Sequence, residues 1–144
     1  MANNIKAQQE ILEKLSIYEL NPMQEAALEA IDKNDKTILL SPTGTGKTLA
    51  FLLPLLERLD PECEEVQALI IVPSRELAIQ IETVIRDMGS GYKANAIYGG
   101  RAISKDKIEL KHTPAILIGT PGRLADHFEQ ARFTTKFIKT VVID

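Results

Sequence analysis

Apolar and polar positions alternate along this chain with two periods, and the switches between them lay out its elements. Ile11, Leu12 and Leu15 share one face between charged neighbours, which predicts an amphipathic helix over 5–17. Asn21-Pro22 is a start signal, an N-cap residue followed by proline at the first helical position. It opens a second helix to about Asp32. After the Asn34-Asp35 turn, Ile38, Leu39 and Leu40 predict a first strand over Thr37–Leu40. The next segment (Leu49, Phe51, Leu52, Leu53, Leu55, Leu56, Leu59) is apolar nearly all round, so its helix should be buried on more than one side. Pro54 lies inside it and is expected to kink or break it.

Beyond the polar connector Asp60–Gln67, the continuous apolar run Ala68–Pro73 predicts a second strand covered on both faces. Ser74 caps a helix carrying Leu77, Ile81, Val84, Ile85 and Met88 at helical spacing, ended by Gly89-Ser90-Gly91. Ala94–Tyr98 predicts a third strand, Lys105–His112 a short charged helix and Ala115–Ile118 a fourth strand. A helix capped by Thr120, with Pro121 in its first turn, runs to about Ala131, and Ile138–Ile143 is a fifth strand before Asp144.

Strands alternating with helices predict an α/β domain on a mainly parallel β-sheet flanked by helices. Ligands of such sheets bind beyond the C-terminal ends of the strands. The Gly-rich loop, Pro73-Ser74-Arg75, Gly99-Gly100-Arg101, Thr120–Arg123 and Asp144 each follow a predicted strand. All five should therefore line one edge.

The stretch Thr37–Thr48 carries the clearest chemistry. Its loop Ser41-Pro42-Thr43-Gly44-Thr45-Gly46 leads into Lys47-Thr48 at a helix start. Glycines let backbone N–H groups turn inward, and the helix N-terminus adds its positive end, so the loop suits a phosphate chain. Lys47 would reach the outer phosphates and the Thr48 hydroxyl would take a magnesium ion. Ser41 stands where the general phosphate-loop pattern has glycine, and an ordinary Gly-rich strand–helix turn is the alternative. Asp144 closes an apolar strand, where a carboxylate can hold a Mg²⁺ hydration shell.

A second chemistry suits sugar–phosphate backbone. Arg75 and Arg123 lie at helix starts, where N–H groups and guanidinium together fit phosphate oxygens, and Gly99-Gly100 permits close approach. The plainer alternatives are that Ser74 and Thr120 only cap helices, that the glycines only turn the chain, and that Arg75 pairs with an acidic neighbour.

With 144 residues, 44% apolar and 26% charged, the chain is one globular domain rather than a disordered segment. Its net charge of −3 argues against a general polyanion binder, so nucleic-acid contacts must come from locally placed groups. The single cysteine, Cys63, excludes an intrachain disulfide and is read as incidental. The N-terminus has no long apolar run, so no signal peptide, membrane span or membrane partner is expected and the cytoplasm is the default location. His112 and His127 lack ligand-spaced partners and are expected at the surface.

The order of these pieces resembles the N-terminal RecA-like, P-loop NTPase domain of DEAD-box ATP-dependent RNA helicases. The matching segments are Pro22-Met23-Gln24 (the Q motif), Ser41–Thr48 (motif I), Pro73–Ala78 (motif Ia), Gly99-Gly100, Thr120-Pro121-Gly122-Arg123 (motif Ib) and Val141–Asp144, the start of motif II. They span nearly the whole chain. On that resemblance, residues 1–144 are a partial, incomplete RecA-like domain: 1–32 a Q-motif helical region, 33–144 the sheet core. The resemblance implies ATP and Mg²⁺ as cofactors. Gln24 would read the adenine edge, although Asn21 and Gln24 also have capping-box spacing. Ser41–Thr48 would hold the triphosphate, Thr48 and Asp144 the metal, and Lys47 and Asp144 would serve catalysis. Pro73, Ser74, Arg75, Gly99, Gly100, Arg101, Thr120, Pro121, Gly122 and Arg123 would hold RNA backbone without reading its sequence.

Ser41, Ser74, Leu20 and Asn21 depart from the family's usual residues, and no aromatic precedes Tyr18 to stack on adenine. The Glu expected after Asp144, motif III and the second RecA-like domain are absent from this sequence. In the family a strand from beyond this point lies between the motif I strand and the Asp144 strand. A chain lacking it is expected to carry unpaired edges beside both, to self-associate through them or close the gap in a non-family way, and to hydrolyse ATP little or not at all. The rival readings are another P-loop translocase, such as a DNA helicase, and a non-catalytic module that binds RNA or protein.

Overall fold

The computed structural model describes residues 7–144, which form six helices and four strands. In chain order these are α1 (Gln8–Lys14), α2 (Pro22–Lys33), α3 (Lys47–Glu57), β1 (Ala68–Ile71), α4 (Arg75–Met88), β2 (Ala94–Ile97), α5 (Ile103–Lys111), β3 (Ile116–Gly119), α6 (Pro121–Glu129) and β4 (Thr140–Ile143). The strands make one parallel sheet in the order β2-β3-β1-β4. The expected α/β architecture is therefore present. The part of the first helix expected over residues 5–6 lies outside the described residues.

Side-chain alternation sorts the core into two layers. Ala68, Ile70, Ile116, Ile118 and Ala96 face α1, α3 and α4, packing with Ile11, Leu52, Leu53 and Ile81. Ile97 and Leu117 face the other way, with Leu110 of α5 and Leu124 of α6. Helices thus cover both faces, and central β3 is buried at every residue.

Two expectations change here. Thr37–Leu40 is not a strand, so the sheet has four strands rather than five. A strand exists only when its backbone groups pair. Both sides of β1 are taken by β3 and β4, and Ile38 and Leu40 are left 88% and 89% exposed. A groove of about 630 Å³ separates this segment from β4, whose outer side is an edge of the sheet. Pro54, in turn, does not break α3, which continues to Glu57. Leu52, Leu53, Leu55 and Leu56 around it are all buried, and that packing outweighs the lost hydrogen bond.

At two helix ends a residue other than glycine makes the left-handed turn. Ser16 (φ 58°) follows α1 and Ala131 (φ 53°) follows α6, both in the left-handed region. In each case the next N–H reaches back across the turn, Ile17 to the Leu12 carbonyl at 2.9 Å and Arg132 to the His127 carbonyl at 3.0 Å. These are Schellman ends with the glycine position filled by other residues.

Candidate functional site

Register builds the site first. Ile97, Gly119, Ile71 and Ile143 lie side by side at the C-terminal ends of the four strands. Neighbouring strands are about 4.8 Å apart, so whatever follows these residues is set along one line. The ladder continues one step further: Val72 N–H donates to the Gly119 carbonyl (3.0 Å), Asp144 N–H to Ile71 (3.0 Å) and Thr120 N–H to Ile97 (3.3 Å). Pro73–Arg75, Gly99–Arg101, Thr120–Arg123 and Asp144 consequently share one edge, as the sequence predicted. Gly119 permits this spacing, since a Cβ there would sit 2.8 Å from the Ile97 carbonyl oxygen and 2.7 Å from Leu124 Cγ.

The Gly-rich loop reaches the same side through α3 rather than through a strand. Gly44 and Gly46 take φ of 82° and 87°. The first bond of α3 runs from Ala50 N–H to the Gly46 carbonyl (3.2 Å), so the N–H groups of Lys47, Thr48 and Leu49 precede the helical ladder. No side chain caps them and no acidic residue lies in this first turn. The Thr45 hydroxyl donates to the Pro42 carbonyl (2.7 Å), so in its contact with Ser41 the serine donates. Lys47 and Asp144 line the same groove, with Thr37–Leu40 as one wall.

The helical region grips this loop. Gln24 Nε2 donates to the Gly46 carbonyl (3.2 Å) and Asn21 Nδ2 to the Thr45 carbonyl (3.0 Å). Gln24 also completes a capping box. Its backbone N–H donates to Asn21 Oδ1 (2.8 Å), and its Oε1 accepts from Asn21 N–H (3.0 Å). Capping is thus an observed role of Gln24. One N–H and one lone pair of its amide remain, the donor–acceptor pair that matches an adenine N7/N6 edge.

The groups present suit a triphosphate and a magnesium ion. Uncapped N–H groups at a helix N-terminus beside a lysine favour phosphate. Thr48 and Asp144 supply hard oxygen donors, and few protein ligands suffice because Mg²⁺ keeps waters and phosphate oxygens. No cluster of three or more His, Cys, Asp or Glu among the described residues offers an all-protein metal cage.

Along the rest of the edge the arginines divide. Arg75 opens α4, capped by Ser74 Oγ, which accepts from Leu77 N–H (3.3 Å). Its side chain is 59% exposed and pairs with Glu76 at 3.1 Å. The Glu76 carboxyl is held below its ordinary range by its backbone hydrogen bond and by Arg75. Gly100 approaches this guanidinium closely, a Cβ there lying 3.3 Å from Arg75 Nη1. Thr120 stands at the N-cap of α6, but its side chain makes no capping bond, contrary to expectation, so the N–H groups of Gly122 and Arg123 are uncapped.

Arg101 and Arg123 turn inward instead, onto Asp106, which is fully buried. Burial alone would lower the Arg101 pKa, but Glu109 and Asp106 more than offset it and leave it raised. His127 is a correction: expected at the surface, it is fully buried, with Nε2 2.8 Å from Asp106 Oδ2. The sequence reading missed Asp106 altogether. Its one signal was the four-residue spacing to Leu110, which puts both on the buried face of α5. His112 and Cys63 show no such involvement, the first being exposed and the second a free thiol. No helix among the described residues is long and apolar enough to cross a membrane.

The sequence model of the family described as DEAD/DEAH box helicase matches residues 21–144. The probable ATP-dependent RNA helicase YfmL of Bacillus subtilis is 44% identical over 125 residues, 85% of this chain and 33% of that protein. The DEAD-box ATP-dependent RNA helicase CshA of Bacillus licheniformis is 38% identical over 135 residues, 92% of this chain and 28% of that one. The ATP-dependent RNA helicase CshA of Limosilactobacillus reuteri is 41% identical over 128 residues, 88% of this chain and 26% of its own length. The chain thus spans about a third or less of these relatives.

Proposed function

Since the chain belongs to the DEAD/DEAH box helicase family, we propose that it is the ATP-binding and RNA-backbone-binding portion of an ATP-dependent RNA helicase. The observation that carries this reading is the shared edge: Lys47 and Asp144 line one groove, and the three segments read as backbone-binding, Pro73–Arg75, Gly99–Arg101 and Thr120–Arg123, follow neighbouring strand ends.

The N–H groups of the Gly44–Thr48 loop and the start of α3 cradle the β- and γ-phosphates, and Lys47 neutralises the outermost oxygens. Thr48 and Asp144 would hold Mg²⁺, which when bound would offset charge on the phosphate oxygens. Gln24 offers its spare donor and acceptor to the adenine edge. Arg75, the Gly99-Gly100 turn and the uncapped N–H groups of α6 hold one RNA strand through its phosphates, without sequence preference. In the whole protein, ATP binding and RNA binding are coupled across this edge.

The test uses a fluorescent ATP analogue and a short single-stranded oligouridylate. Lys47→Ala should weaken nucleotide binding about tenfold or more and leave the fold intact. Unchanged nucleotide affinity with RNA binding retained would instead favour a non-catalytic binding module. Equal stimulation of the whole protein's ATPase by DNA and RNA would favour a general translocase.

A further inference from the structure

The β2–α5 loop and α6 are joined by a polar cluster that the nucleotide and RNA contacts do not use. Asp106 Oδ2 accepts from Arg123 Nη1 (3.0 Å) and lies 2.8 Å from His127 Nε2, and Asp106 Oδ1 lies 3.2 Å from Arg101 Nε in an ion pair. Arg123 Nη2 donates to the Arg101 carbonyl (3.0 Å), and Arg101 Nη1 to the Ala96 carbonyl at the end of β2 (2.8 Å). Arg101 Nη2 also meets Glu109 at 2.6 Å.

The histidine tautomer follows from its neighbours. Arg132 Nη1 lies 3.0 Å from His127 Nδ1, and a guanidinium can only donate. Nδ1 must then be the acceptor, so the ring is neutral and Nε2–H donates to Asp106. Arg132 is itself fixed by its N–H bond to the His127 carbonyl (3.0 Å) at the end of α6.

We propose that Asp106 is a positioning residue for the RNA-backbone edge, locking the Gly99-Gly100 turn against the N-terminus of α6 through Arg101, Arg123 and His127. The proposal rests on the RNA-binding reading above. A buried carboxylate facing several donors is stable only in one arrangement, because each misplaced donor strands a charge. The planar forks of the two arginines make that arrangement directional. The guanidiniums of Arg101 and Arg123 are committed internally, and the strand is left to Arg75 and the α6 N–H groups.

The experiment measures oligouridylate and ATP-analogue affinity for the wild type, Asp106→Asn, His127→Ala and His127→Gln, with circular dichroism on each. Asp106→Asn removes a negative charge near the strand, so an electrostatic role alone predicts tighter RNA binding. Positioning predicts binding about tenfold weaker, with nucleotide affinity unchanged. Should Asp106→Asn not fold, the histidine pair decides. His127 is buried and cannot touch RNA, so His127→Ala should weaken RNA binding and His127→Gln, which can restore an N–H donor, should recover it. Equal RNA affinity in all folded variants, or equal loss in Ala and Gln, overturns the proposal while the RNA reading stands. A wild type that binds no RNA overturns both. The ring ¹⁵N shifts of His127 should report a neutral Nε2–H tautomer at neutral pH, and a doubly protonated ring would contradict the hydrogen-bond assignment.

Discussion

Gln24 performs two separable tasks, so two substitutions should change two measurements in opposite order. Gln24→Ala removes the acceptor for Asn21 N–H (3.0 Å) and the donor to the Gly46 carbonyl (3.2 Å) at a buried position. At about 1 kcal/mol per hydrogen bond the loss is about 2 kcal/mol. Gln24→Glu keeps the acceptor at the helix start, where a negative charge is also favoured by the helix dipole. It loses only the donor to Gly46, so its cost is about 1 kcal/mol. The carboxylate would, however, stand beside the loop proposed to hold the triphosphate and would repel it, which the alanine does not. Urea denaturation followed by circular dichroism should therefore rank wild type, Glu, Ala in falling stability. Titration with a fluorescent ATP analogue should rank wild type, Ala, Glu in falling affinity. If both measurements give the same order, the division of Gln24 into cap and loop clasp is wrong.

Further outcomes follow from the backbone and the buried polar groups. Ser16→Gly and Ala131→Gly relieve left-handed conformations at two helix ends and should each stabilise the fold by roughly 0.5–1 kcal/mol in urea denaturation; destabilisation would mean that those ends are not Schellman turns. Gly119→Ala drives a Cβ to 2.8 Å from a backbone oxygen and should cost about 3 kcal/mol by thermal denaturation; a cost under about 0.5 kcal/mol would show that β2 can yield there. Tyr92 donates to the Leu59 carbonyl (2.9 Å), and burial followed by Asp60 raises its pKa above the ordinary 10.0. The folded state thus favours the protonated phenol. That stability is complete below pH 10.0 and is lost as pH rises through the folded pKa. Alkaline denaturation should show this fall in the wild type and not in Tyr92→Phe.

What the sequence disclosed depended on how local each signal was. The strands β1 to β4 declare themselves as apolar runs, and Asn21-Pro22, Ser74 and Gly89 mark helix ends by chemistry confined to one turn. The alignment of the edge followed from the strand–helix alternation alone. Thr37–Leu40 misled because an apolar run shows what a segment would bury, and pairing is decided by which neighbours exist. His127 was misread because the carboxylate that holds it lies on another helix, 21 residues earlier in the chain. Asp106 hid in a helix of mostly charged residues, where one inward-facing carboxylate has no distinguishing neighbour in sequence. The roles of Arg101 and Arg123 were illegible for the same reason, since a guanidinium reads alike whether it faces solvent or a buried acid.

The groove beside β4 has Lys47 and Asp144 among its walls. Asp144 is clamped to the sheet by its own backbone bond to Ile71, whereas Lys47 opens α3, and Thr37–Leu40 before its loop joins no strand ladder. The lysine and the carboxylate therefore stand on two elements of one packed core, since α3 lies against β1 and β1 pairs with β4. Their separation is set by that packing and not by the Thr37–Leu40 wall, whose Ile38 and Leu40 remain exposed.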